Sequence, residues 1–167
     1  MEWNRTETET TNASNSRRLH VVRPGSLDAR NETFNCLTKR LGRLTFPVCV
    51  YSADVDRYIS AAMAGDGYFE AHEVGGFLRL LTLDRRLQLV DVGANIGVYS
   101  LPAARLTQVL AVEPNPRSIA RLAKAVELGA VGSNITLVQS AVSNVRTSQI
   151  TMFVNVKNQV RQCDLRL

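Results

Sequence analysis

The sequence predicts an α/β fold, a doubly wound parallel sheet with helices on both faces, and three observations predict it. Leu87-Gln-Leu-Val-Asp-Val92 is an apolar run that leads through Asp91 into a glycine turn, Gly93-Ala-Asn-Ile-Gly97. Apolar residues at helical spacing follow, and a second apolar run, Val109-Leu-Ala-Val112, ends on Glu113. Strand, glycine turn, helix, strand and acid is the order of a nucleotide-binding βαβ unit. Its glycines let the backbone approach a ligand, and its terminal acid can accept hydrogen bonds from a ribose diol. The turn departs from the dinucleotide pattern G-x-G-x-x-G, with Asn95 and Val98 where glycines would stand. A pyrophosphate needs close backbone approach at more points than this turn offers.

Each element follows from a local signal. Residues 1–33 are polar, without sustained periodicity, and read as a flexible tail. Residues 34–44 are short and mixed and are expected to be helical. Val48-Cys-Val-Tyr51 reads as a strand and Asp56 to Met63 as a helix or helical turn. Val74, Phe77, Leu78 and Leu81 give one apolar helical face, weakened by Gly75-Gly76, since each glycine costs about 1 kcal/mol relative to alanine. Leu87 to Val92 is the first parallel strand, Ile96 to Leu106 its crossover helix and Val109 to Val112 the second strand. Pro116 suits a helix first turn, Ile119, Leu122, Ala123 and Val126 form the buried face behind it, and Gly129 ends that helix. Ile135 to Val138 is the third strand. Ile150 to Val156 is a further strand at an edge, and Lys157 to Leu167 is too short and polar to add another.

Bulk properties bound the function. The chain has 167 residues, one domain's worth, with 45% hydrophobic and 21% charged residues, the balance of a globular protein. No apolar run is long enough to span a bilayer, and the first residues lack the apolar core of a secretory signal. The chain therefore reads as soluble and cytoplasmic by default, and as luminal if its start is truncated. The net charge is +5, but basic residues are scattered in pairs at most, which argues against nucleic acid. Three cysteines, Cys36, Cys49 and Cys163, form no C-x-x-C pair, so no metal site is expected. Cys49 reads as buried packing, and a Cys36–Cys49 bridge stays open for a luminal protein. Sequons begin at Asn4, Asn12, Asn31 and Asn134; without a signal sequence they read as chance, and Asn134 leads straight into a core strand.

Asp91-Val-Gly-Ala-Asn-Ile-Gly97, Val112-Glu-Pro-Asn-Pro116 and Val138-Gln-Ser-Ala-Val-Ser143 follow one another as they do in the FkbM family of S-adenosylmethionine (SAM)-dependent methyltransferases. Upstream, Phe46-Pro-Val-Cys-Val-Tyr51, Asp56-Arg-Tyr-Ile-Ser60 and Gly67-Tyr-Phe-Glu70 resemble the segment before the glycine turn in animal members. The resemblance covers residues 34–156. It implies a Rossmann-like class I methyltransferase fold, incomplete here, with the first three strands and an edge strand but without the family's acidic fourth-strand block. Residues 34–86 would be a lead-in and 87–167 the SAM-binding half, so Leu87 to Val92 would be a central strand left without one partner.

The implied cofactor is SAM and the implied reaction is methyl transfer to a hydroxyl oxygen of a sugar or other small metabolite, the fragment alone being inactive. Gly93 and Gly97 would admit the methionine portion, Asp91 would bond its amino group, and Glu113 would hold the ribose. Pro114 and Asn115 would line the adenine face, Ser140 and Ala141 its edge, and Glu70 could reach the methionine end. Asn95 is equally a helix cap or a ligand contact. Tyr99 reads as packing, and His20 and His72 have no partner at ligand spacing. No general base can be picked out. The alternative is a non-catalytic SAM- or nucleotide-binding module; a nicotinamide dehydrogenase is disfavoured by the glycine spacing.

Overall fold

The computed structural model describes residues 8–9, 20–23, 33–143, 152–155 and 158–162. Its central feature is a four-stranded sheet built from β2 (Val21–Val22), β5 (Leu89–Val92), β6 (Val109–Val112) and β7 (Ile135–Val138), in the order β2-β7-β6-β5. β5, β6 and β7 are parallel, with Asp91 beside Ala111 and Ala111 beside Leu137, and β2 runs antiparallel to β7. The other strands are the hairpin of β3 (Asn35–Leu41) and β4 (Leu44–Val50), and a small sheet in which β8 (Met152–Asn155) lies between β1 (Thr8–Glu9) and β9 (Asn158–Gln162). Helices are α1 (Ile59–Ala64), α2 (Ala71–Leu83), α3 (Ser100–Ala103) and α4 (Pro116–Gly129). The protein is thus a mixed α/β structure with a mostly parallel sheet.

The strongest sequence signals give the most regular elements. α4 opens with Asn115 at the N-cap, its side chain accepting from the Arg117 N–H, and with Pro116 in the first turn. Ile119, Leu122, Ala123 and Val126 are buried along one face. Gly129 is the last helical residue, and Ala130, at φ 51°, takes the left-handed position after it. The glycine serves close packing instead: a Cβ there would come within 3.2 Å of Pro47 on the hairpin. α2 forms despite Gly75 and Gly76, because burial of Val74, Leu78 and Leu81 outweighs their intrinsic cost. Asp56, fully buried, supports the start of α1 by accepting from the Tyr58, Ile59 and Ser60 N–H groups.

Several expectations are corrected. Residues 34–44, expected to be helical, form β3 and the turn into β4, with Gly42 at φ 59° where a two-residue hairpin turn takes glycine. The mixed composition misleads because Lys39 is buried, its Nζ donating to the Gly65 carbonyl at 2.6 Å. Cys36 and Cys49 are cross-strand partners and are joined by a disulfide, so Cys49 is more than apolar packing. The crossover helix shrinks to the single turn of α3, flanked by turns. Lys157 to Leu167 does contribute a strand, β9, though outside the main sheet.

The expectation of helices on both sheet faces is not met among the described residues. Alternate side chains of a strand point to opposite faces. Val109, Ala111, Ile135 and Leu137 join the core with Ile119 and Leu122 of α4 and Leu101 of α3, whereas Val90, Val92 and Leu110 on the other face are exposed. The hairpin packs on α4 and α3, which gives a hairpin–helix–sheet layering. β5, expected to be central, is the edge strand of the described sheet. Within the segment read as a flexible tail, Val21–Val22 pairs with β7, Gln139 N–H donates to the His20 carbonyl, and Val22 is 3% exposed. Two apolar residues are too short a run to reveal a strand by periodicity. Asn4, Asn12, Asn31 and Cys163 lie outside the described residues.

Val22→Ala should lower stability by roughly 1.5–2.5 kcal/mol, the transfer and cavity cost of the lost methyl groups. Val21→Ala, on the exposed side of the same strand, should change it by less than about 0.5 kcal/mol. Urea unfolding of the two variants checks this.

Candidate functional site

Asp91, Gly93, Asn95, Glu113, Asn115, Ser140 and Ala141 gather at the carboxyl ends of β5, β6 and β7, the end where open parallel sheets bind ligands. Glu113 organises this end. One carboxylate oxygen, Oε2, accepts from the Asn95 N–H and the other, Oε1, from the Asn115 N–H, both at 2.8 Å. Glu113 is 4% exposed, and each of its oxygens has lone-pair capacity beyond one bond. It follows directly on β6, its own N–H donating to Val138 at the end of β7.

The turn between β5 and α3 is spent on itself. The Gly93 and Ala94 N–H groups both donate to the Val112 carbonyl, Asn95 donates to Glu113, and Gly97 donates to the Ala94 carbonyl. These amides are therefore not arranged as a cradle for phosphate oxygens. The two glycines differ. Gly93, at φ 88°, is exposed, and nothing lies within 4 Å of where its Cβ would be, so a ligand has room there. Gly97, at φ 92°, is buried, and a Cβ would sit 2.5 Å from Leu122 and 2.8 Å from Leu101. Its place is helix packing, not the open side of the turn, contrary to the role the resemblance implies for it.

Asn95, at φ 49°, occupies a left-handed conformation that asparagine tolerates better than most residues. Its Oδ1 accepts from Ser118 Oγ at 3.1 Å, so the side chain reaches across to α4 instead of capping the helix that follows it. The cap is Asn115, whose side-chain oxygen is taken up at the start of α4 while its buried Nδ2 makes no hydrogen bond to the described residues; Pro114 beside it is half-buried. The Asn-Pro pair signals that cap. Ser140 and Ala141 are half-buried just past β7, with Ser140 Oγ donating to the Ala141 carbonyl.

Two carboxylates meet hydroxyl groups. Asp91 is half-buried and accepts from Ser100 Oγ at 2.6 Å. Burial pushes its carboxyl above the usual range, and the Ser100 bond only partly offsets this. Glu70 is exposed, stands at φ 52° just before α2, and accepts from the Tyr99 hydroxyl at 2.8 Å. Tyr99 packs edge-on against Phe77; burial and the adjoining Glu70 carboxylate raise its hydroxyl to about 12, so it remains a donor at neutral pH. Ser100, which bonds Asp91, and Ser118, which bonds Asn95, were not legible as site residues. The polar identity of Ser100 and Ser118 on otherwise buried helix faces is the signal that could have marked them. His20 and His72 are exposed, and no group of metal-ligating side chains occurs among the described residues.

Compared with protein-family models and with curated protein sequences, the chain matches none.

The raised Asp91 pKa fixes a sign. An acid that binds its proton more tightly when folded helps stability below its unfolded value, near 3.8, and loses that help as pH rises toward the folded value. The stability difference between Asp91→Asn and the native protein should therefore move in the variant's favour as pH rises from below 3.8 to neutral. Denaturant unfolding at pH 3 to 7 reads this, and a flat difference contradicts it.

Proposed function

We propose that this chain carries the cofactor-binding part of a SAM-dependent methyltransferase of the FkbM type, with a hydroxyl oxygen of a sugar or other small metabolite as acceptor. The observation that carries the reading is the pairing of a fixed carboxylate, Glu113, with an open left-handed glycine, Gly93, across adjacent strand ends. The described residues suit an adenosyl sulfonium better than a dinucleotide. Asp91, Glu113 and Glu70 favour a cationic ligand, and the turn amides that would hold a pyrophosphate are already donated within the protein.

When bound, SAM supplies an electrophilic methyl group on a sulfonium. Gly93 would let the methionine portion close to the backbone, and Asp91, steadied by Ser100, would accept from its ammonium. Glu113 would accept from the ribose hydroxyls, Pro114 would flank the adenine, and Ser140 and Ala141 would meet its edge. Glu70, held by Tyr99, would face the methionine end. The contribution of these groups is positioning and charge complementarity. Among the described residues β5 has no strand on its outer side, which favours a second reading, a SAM- or nucleotide-binding module without turnover.

Calorimetry on the intact protein separates the readings. SAM should bind more tightly than NAD, and Glu113→Gln should weaken SAM roughly tenfold or more, the scale of a lost charge-assisted bond. Tighter NAD binding overturns the assignment. SAM binding without consumption in the presence of hydroxyl acceptors selects the module.

No described helix is long and apolar enough to cross a membrane. We propose maturation in an oxidising compartment, a reading supported by the Cys36–Cys49 bridge, since such bridges persist where thiols are not kept reduced. Alkylation of the native protein without reductant should leave both residues unmodified, whereas labelling of either places it in a reducing compartment.

A further inference from the structure

A buried chain of hydrogen bonds links the hairpin side of the molecule to Glu113. Tyr51, just after β4, is 4% exposed and its hydroxyl lies 2.9 Å from Ser118 Oγ. Ser118, fully buried on α4, has a single hydroxyl proton and gives it to Asn95 Oδ1. The proton count sets the remaining direction: Tyr51 donates to Ser118, which donates to Asn95. The Asn95 N–H in turn donates to Glu113 Oε2. At Asn95 the link is mechanical, because the side-chain oxygen accepts and the backbone N–H donates: Ser118 holds the side chain, and with it the left-handed backbone that presents the N–H.

The start of this chain is held firmly. The Arg121 guanidinium lies 3.8 Å from the centre of the Tyr51 ring and 5.5 Å from that of Phe34. The Tyr51 N–H donates to Ser60 Oγ at 3.1 Å. Two residues upstream, Cys49 is bridged to Cys36. Asn95 is the weak member, a non-glycine residue in a left-handed conformation that its neighbours must maintain.

We propose that Tyr51 is a positioning residue for ribose recognition: through Ser118 and Asn95 it fixes the Glu113 carboxylate in the orientation that accepts a 2′,3′-diol. The segment that leaves the hairpin is thereby part of the specificity device of the site, acting through Glu113. This rests on the reading of Glu113 as the ribose acceptor.

The test is a ratio of affinities, which a general loss of stability does not move. The intact protein is titrated with S-adenosylhomocysteine and with its 2′,3′-dideoxyribose counterpart. The native protein should prefer the diol by about tenfold or more. Tyr51→Phe keeps the ring and its contact with Arg121 but removes the donor, and should bring the preference below about threefold, chiefly by weakening the diol ligand. Ser118→Ala breaks the same chain without touching the ring and should do likewise. Equal weakening of both ligands, or an unchanged ratio in both variants, overturns the positioning role. A ratio that survives Glu113→Gln removes Glu113 as the ribose acceptor and overturns the proposal together with the reading beneath it.

Discussion

The carboxyl end of the parallel sheet depends on one carboxylate shared between two backbone segments. The turn after β5 and the entry to α4 are separate in sequence, and each presents an N–H group that needs an acceptor. Glu113 supplies both, through Asn95 on one side and Asn115 on the other. A buried N–H left without an acceptor costs about 1–3 kcal/mol, so loss of the carboxylate would leave two such costs close together. The same fixation gives Glu113 a defined direction before any ligand arrives, and preorganisation of that kind lowers the cost of binding. Under the proposed reading, structural and recognition roles would coincide in a single side chain.

The parts legible in the sequence were those in which one local rule acts alone. Val109 to Val112 and Ile135 to Val138 appear as strands with the bounds their apolar runs predict, and α4 begins at Asn115-Pro116 as cap and first-turn chemistry require. The site was legible as a neighbourhood, because an acid at a strand end and a glycine turn must converge in a parallel sheet. The division of labour inside it was not. Gly93 and Gly97 are the same residue with nearly the same φ, yet one faces open space and the other faces Leu122. Only the path of α4 tells them apart.

The elements that escaped the sequence are those decided by distant partners. Residues 35–41 look mixed because their polar members have specific appointments, Lys39 with the Gly65 carbonyl and Cys36 with Cys49. Gly42-Arg43 between Leu41 and Leu44 was the available hairpin signal, and helical expectation masked it. Tyr51 was readable only as the end of an apolar strand. Its hydroxyl acquires meaning from Ser118, the polar member of an otherwise apolar buried helix face, and only the folded chain brings the two together.

The pairing of β2 with β7 also bears on how the chain reaches this structure. The β3–β4 hairpin joins neighbouring segments and can close locally, within microseconds of being available. Val22, by contrast, meets Leu137 across most of the length of the chain. The entropic cost of closing so long a loop must be met before the contact returns anything, and such contacts slow folding. On the ribosome, Val21 and Val22 emerge well before the strand they pair with and must wait for it. Of the four described strands of this sheet, the first to be made pairs with the last, and until the two meet β7 presents an unsatisfied edge.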